Sequence, residues 1–239
     1  SMGIIQFKLN PNHFTHLLNS SSLRMPFSND YQTRSIYADT AGNVYINSWG
    51  GFFKASKNNK GSYIYTKLLI SEISSLDGFY FDGIHFWISG KENSIACYEP
   101  KSKRIQPYSA DSLNLWSGIT TRNGHLLIGA TDGIGKFKQN HFERILMKYT
   151  SINSKPWVYQ FFYSHDGILW AVSNIGLFEF DKNDQIIAHY SDTAKTEKYR
   201  LPYSDLNGVY EDKQGVFWMA TNGSGLIRWD RAKRINHAT

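Results

Sequence analysis

Glycine recurs at Gly42, Gly83, Gly124, Gly167 and Gly215, each time just ahead of a short apolar or aromatic run. Subtraction gives intervals of 41, 41, 43 and 48 residues. A period of roughly 40–50 residues, with about four strands per unit, is the signature of small antiparallel sheets set radially in a β-propeller. The chain is therefore expected to be all-β, and anything it binds should sit on the faces or in the channel of the array.

Laid over one another, the copies share a grammar. The first reads Asp39-Thr40-Ala41-Gly42-Asn43-Val44-Tyr45, continuing at Gly51-Phe52-Phe53. The fourth reads His165-Asp166-Gly167-Ile168-Leu169-Trp170, then Gly176-Leu177-Phe178-Glu179-Phe180. The fifth, the fullest, reads Asp212-Lys213-Gln214-Gly215-Val216-Phe217-Trp218-Met219, then Gly225-Leu226-Ile227-Arg228-Trp229. The third keeps the spacing with Asn123-Gly124 but has no acid ahead of its glycine, and the second, Asp82-Gly83-Ile84-His85-Phe86-Trp87, lacks the second glycine. An acid or amide with glycine between two apolar runs makes a tight hairpin, because glycine accepts positive φ and the short polar side chain bonds its own turn. The run after it is nearly continuous in hydrophobicity, as expected of a strand packed on both faces, so Trp218 and its counterparts are predicted to fill the wedge between sheets. A third strand ends on an aromatic at Phe53, Phe137, Phe178 or Phe180, and Trp229. Outer fourth strands follow near Ser62–Thr66 and His141–Leu146.

Composition narrows the function classes. Aromatic residues make up 15% of the chain, and most fall inside the repeat strands where packing needs them. The net charge of +6 is scattered, and the clusters at Lys101–Arg104 and Arg228–Arg234 are too short for a nucleic-acid arm. No apolar run approaches the ~18–20 residues of a membrane span, so no membrane contact is expected. Cys97 is the only cysteine, which leaves no internal disulfide and an open redox compartment. Ser1-Met2 reads as a cloning remnant with no signal peptide after it. Residues 3–20 resemble a third and fourth strand, because Gly3-Ile4-Ile5-Gln6-Phe7 echoes Gly225-Leu226-Ile227-Arg228-Trp229. The array over 1–239 thus reads as one repeat domain of a half blade plus five whole ones. Either pairing of the two ends closes the ring, or the chain is an arc of a longer ring; the repeated third strand favours the arc.

The pattern Asp-x-x-Gly-x-Val/Leu-Trp/Tyr, then Thr/Ser, then Gly-Leu, resembles the two-component regulator propeller repeat. It is best kept at Asp212–Trp218 with Thr221 and Gly225-Leu226, and at Asp39–Tyr45 with Ser48 and Gly51. It is kept in part at Gly83 and Gly124, and at Gly167 the acid, Asp166, is adjacent instead of three residues back. The resemblance implies part of the periplasmic sensor region of a hybrid two-component histidine kinase of Bacteroides-type bacteria. Such regions are often built on seven-bladed rings, and the rest of the sensor and the kinase would lie elsewhere in the parent protein. It further implies a non-enzymatic role, sensing an oligosaccharide or similar solute without a cofactor. A protein-interaction scaffold, including a homodimer, is the alternative, and a propeller lyase or glycosidase the third.

Asp39, Asp82, Asp166 and Asp212 are distributed around the array, which suits hairpins and not a converging acid pair, so no catalytic residue is assigned. His13 and His16 lie three apart on a strand and point to opposite faces, so no metal site is assigned either. Binding residues belong in loops that vary between copies. The second-to-third-strand loops contain Trp49, Lys91, Glu92, Asn93, Asp132, Asn174 and Asn222, and the connections between sheets contain Arg34, Trp116, Trp157 and Tyr203. Rings with amides and charges on one face would suit a sugar, whose apolar face stacks while its hydroxyls bond.

Overall fold

A computed structural model describes residues 33–48, 50–69, 76–90, 94–109, 115–130, 133–138, 140–145, 156–231 and 235–238. They form five four-stranded antiparallel sheets, each with its strands in chain order from inner to outer. The first sheet holds β1 (Thr33–Ala38), β2 (Val44–Ser48), β3 (Gly51–Lys57) and β4 (Tyr63–Leu69). The second holds β5 (Leu76–Phe81), β6 (Phe86–Gly90), β7 (Ser94–Glu99) and β8 (Arg104–Ser109), and the third β9 (Leu115–Arg122), β10 (His125–Ala130), β11 (Gly133–Lys138) and β12 (His141–Ile145). The fourth holds β13 (Val158–Tyr163), β14 (Leu169–Ser173), β15 (Gly176–Phe180) and β16 (Ile186–Tyr190), and the fifth β17 (Leu206–Glu211), β18 (Val216–Thr221), β19 (Leu226–Asp230) and β20 (Ile235–Ala238). The all-β propeller expected from the glycine period is thus the observed fold. The partial blade expected at 3–20 lies outside the described residues, as does the question of closure that depends on it.

The first-to-second-strand turns show why an acid recurs. Asp212 Oδ1 accepts the N–H groups of Gln214 and Val216, both at 3.0 Å, while Gly215 takes φ of +78°. Asp39 does the same for Ala41 and Asn43 at 3.0 and 2.8 Å, and Asp82 for Ile84 and His85 at 2.8 and 2.7 Å. The second carboxylate oxygen then reaches the next strand: Trp218 Nε1 donates to Asp212 Oδ2 and Trp87 Nε1 to Asp82 Oδ2, each at 2.8 Å. One carboxylate therefore sets both the turn and the rotamer of the large ring beyond it.

Asp166 departs from this expectation. In the fourth sheet Ser164 occupies the turn position: its carbonyl accepts the Gly167 N–H at 2.8 Å, and its hydroxyl accepts from Trp170 Nε1 at 3.1 Å. Asp166 instead turns to Ser164 Oγ and to Arg231 of the fifth sheet, with Nη1–Oδ2 at 3.3 Å. The adjacent acid is released from the turn because a hydroxyl already fills it.

Four apolar clusters fill the four seams between successive sheets. The first seam is mainly aromatic, with Tyr45, Phe52, Phe86 and Tyr98 buried alongside Leu76 and Ile88 and with Tyr45 and Phe86 centroids 4.4 Å apart. Trp87, Tyr108 and Phe137 line the second, Leu127, Val158, Leu169 and Phe178 the third, and Trp170, Tyr190, Phe217 and Trp229 the fourth. Trp170 is 1% exposed, as a wedge filler should be. Trp218, predicted to do the same job, is only half-buried, and its described contacts are Asp212 and the Arg228 guanidinium 5.7 Å above its ring. Its strand position matches Trp170, but no sheet follows the fifth among the described residues.

The third and fourth seams add polar ties. Asp184, 4% exposed and at φ of +63°, reaches from the fourth sheet to three groups of the third: the cations Arg122, Nε at 3.2 Å, and Lys136, Nζ at 3.2 Å, and the imidazole of His125, Nε2 at 2.7 Å. Arg231 crosses the fourth seam between Asp166 and the buried Glu211, which it meets at 3.1 Å, with its guanidinium 4.3 Å over Phe217. Near the channel, the Gln160 amide donates to Val209 O at 3.2 Å and accepts from Val209 N at 2.9 Å, so one side chain stands in for a strand pairing.

Candidate ligand-binding face

Antiparallel order puts the second-to-third-strand loops and the connections between sheets on one face, here the upper, and the tight acid turns on the lower. A repeated irregularity shapes the upper rim. Every inner strand slips register against its neighbour near its upper end: Thr33/Ser35, Leu76/Gly78, Val158/Gln160 and Leu206/Gly208 skip one residue each, and β9 slips between Leu115 and Ile119. Such a slip is a bulge, in which two residues of one strand oppose one of its neighbour. The backbone positions passed over are 34, 77, 159 and 207. Between Val158, packed into the third seam, and Gln160, bonded across the fourth, Tyr159 lies within reach of the Asp205 charge. Burial raises its hydroxyl pKa, and the Asp205 carboxylate raises it further.

On the fourth and fifth sheets four of the expected site residues fall into two separate pairs, Trp157 with Asn174 and Tyr203 with Asn222. Asn174 Oδ1 accepts the Trp157 N–H at 2.7 Å and its own N–H donates to Trp157 O at 3.2 Å. At the equivalent place, Asn222 N–H donates to Asp205 O at 2.8 Å and its Nδ2 to Asp205 Oδ2 at 2.9 Å. Each asparagine latches its loop to the segment entering the inner strand. Their role is positional first, and what they position is Trp157, 42% exposed, and Asp205, whose Oδ1 is buried without a hydrogen-bond partner. Tyr203 closes the group by donating its hydroxyl to Asn222 O at 3.3 Å.

Trp116 and Arg34, expected in connections, are strand residues at the starts of β9 and β1, because the inner strands begin earlier than their apolar runs suggest. Trp49, Lys91, Glu92, Asn93 and Asp132 lie outside the described residues. Tyr159 and Asp205, next to the expected positions, are further candidates that the loop pattern does not single out. The one signal pointing to Tyr159 is the broken alternation where an inner strand begins, as in Val158-Tyr159-Gln160. An indole can stack on an apolar face, and a hydroxyl, a carboxylate and amides can bond to hydroxyls, so the two pairs carry the group types such a ligand needs. Among the described residues no group of three His, Cys, Asp or Glu converges as a metal would need.

No family model matches the chain, and no curated protein does. Solved structures do match. The extracellular domain of the hybrid two-component system BT4673 from B. thetaiotaomicron aligns over 88% of this chain and 28% of its own, with a TM-score of 0.68 at 14% identity. The corresponding domain of BT3049 aligns over 88% and 30%, with a TM-score of 0.64 at 19% identity. Virginiamycin B lyase from Staphylococcus aureus aligns over 87% and 69%, with a TM-score of 0.65 at 15% identity. The chain is thus similar in fold to the extracellular propellers of Bacteroides hybrid two-component systems and spans under a third of their length. The same fold carries a lyase.

Proposed function

We propose that this chain is a non-enzymatic, ligand-sensing part of a hybrid two-component sensor, working in the periplasm. It would bind an oligosaccharide or similar solute at the upper rim and pass the change to a kinase elsewhere in its parent protein. The observation that carries this reading is the exposed Trp157 held by Asn174, with Tyr203 and Asp205 gathered on Asn222 at the equivalent place of the next sheet, on a fold like that of extracellular sensor propellers. The lower-face acids support a non-enzymatic role, since Asp39, Asp82 and Asp212 are each engaged in their own turn on separate sheets. Calorimetry against a panel of plant and host glycan fragments tests it. Heat of binding with the wild type that is lost in Trp157→Ala is the expected result, and a panel without heat from folded protein sinks the reading.

A scaffold role is the second reading, and one observation favours it. The outer face of the fifth sheet exposes Tyr210 (66%) and Leu226 (37%) beside Trp218, an apolar patch of the kind partners cover. Light scattering that shows a dimer, abolished by Tyr210→Lys, would favour it over solute sensing.

A further inference from the structure

Away from the upper rim, the fourth seam opens outward into a cleft of about 440 Å³, within the span of ~300–1,000 Å³ usual for small-molecule sites. Its wall is aromatic: Trp170, Tyr190 and Trp229 pack against one another with centroids 4.8–6.1 Å apart. The short 3-10 turn Glu197–Tyr199 in the connection between the fourth and fifth sheets supplies Lys198 at the mouth. Two polar groups along the wall are only part-used. Glu179 accepts the Tyr190 hydroxyl on Oε2 at 2.8 Å, leaving Oε1 unengaged. Arg231 commits its Nη groups to Asp166 and Glu211, while its buried Nε has no hydrogen-bond partner. A buried donor without a partner needs a water or a ligand to account for it.

The second seam shows that this polarity is not a by-product of stacking sheets. There Trp87, Tyr108 and Phe137 form a comparable wall, but the residue paired with the tryptophan across the strands is Cys97, where the fourth seam has Glu179. Burial pushes the Cys97 thiol up to about 11, so it is neutral. The fourth seam alone of these two puts a carboxylate opposite its tryptophan.

We propose that the cleft between the fourth and fifth sheets is a second binding site, for a neutral polyhydroxylated ligand of mono- or disaccharide size. A hydroxyl both donates and accepts, so neighbouring hydroxyls can use Glu179 Oε1 and Arg231 Nε together while the ligand's C–H groups meet the ring edges that line the cleft. A cation is disfavoured, because the ring faces are taken up by one another and by Arg231, 5.5 Å over Trp170. Since Arg231 also ties the two sheets, occupancy would bear directly on how the seam is held.

The test is two-dimensional NMR of the ¹⁵N-labelled indoles in the full chain, titrated with glucose, galactose, arabinose, xylose and cellobiose. The expected result is movement of the Trp170 and Trp229 resonances by at least one sugar, and affinity about tenfold weaker or worse in Glu179→Gln and in Lys198→Ala, with Trp157→Ala unaffected. Glu179→Gln keeps an acceptor for Tyr190, and Lys198 is exposed, so both variants should fold. Movement of Trp157 alone overturns the seam site and leaves the upper-rim reading standing. Seam movement indifferent to both variants overturns the assignment of these residues, and no movement of any indole overturns the seam site and counts against the upper rim as well.

Discussion

The two ends of the array are held together by different physics. Between the first and second sheets the tie is a stack of rings, Tyr37, Tyr45, Phe52, Phe86 and Tyr98, whose contact is non-directional. Between the third, fourth and fifth sheets the rings are joined by charges placed at single points, Asp184 and Arg231. Ring packing is lost in proportion to the contact removed, whereas a buried ion cluster is strongly penalised when a single member is removed. The carboxyl-terminal sheets, which also hold the two latched upper-rim pairs and the polar cleft, are therefore the half in which loss of a single charged group should loosen a seam most. A sensor that reports a ligand through sheet orientation would want its sites there.

The largest test of that contrast is Asp184→Ala. It strips the carboxylate from Arg122, Lys136 and His125 at a point 4% exposed, and leaving buried cations uncompensated costs about 3–5 kcal/mol. Urea unfolding should record the loss, with amide exchange accelerated first in β9, β10 and the 181–185 turn. Replacing Asp184 together with Arg122 and Lys136 by apolar residues should recover much of it. A loss under 1 kcal/mol from Asp184→Ala alone would mean that rings hold the third seam as they hold the first.

Next in size is the pair Trp170→Ala and Trp218→Ala. The two occupy the same repeat position, yet Trp170 is closed in the fourth seam and Trp218 lies half-buried on the outer face of the last sheet. About 3–5 kcal/mol is expected for the first and about 1–2 kcal/mol for the second. Thermal and urea unfolding of the two variants side by side check this, and equal losses would show that the outer face of the fifth sheet is covered in solution.

That pair also marks where the sequence stops being informative. Asp39, Asp82 and Asp212 could be read as turn residues because the bonds they make run to N–H groups within four positions. Trp218 could not be told from Trp170, since local pattern records a strand position and not whether another sheet follows. Asp166 was assigned to its turn through its neighbour Gly167, whereas Ser164 holds that turn and Asp166 serves a partner 65 residues away, Arg231. The Asp184 cluster is invisible for the same reason, its ligands being contributed by another repeat. At the upper rim, the loop positions of Trp157, Asn174, Tyr203 and Asn222 are legible because loops vary between copies. The register slips at 159 and 207 are not, because a one-residue slip leaves little trace in composition.

The smallest effect belongs to Asp166, and it sharpens the comparison by separating a seam charge on the surface from one in the interior. Partial burial pushes its pKa up, but the hydrogen bonds from Ser164 and Arg231, with the Arg231 charge, outweigh that and hold it below the usual carboxylate range. A depressed pKa contributes stability that is present above the unfolded-state value and is lost as pH falls through the folded one. Asp166 is 51% exposed, so the tie to Arg231 is screened and Asp166→Asn should cost about 0.2–1 kcal/mol at neutral pH. Below the folded pKa the wild-type carboxyl is itself neutral, so the two unfolding curves should converge in acid. Urea titrations across that range read the difference directly, and a gap that persists at low pH would mean that the side chain acts through shape and not through charge.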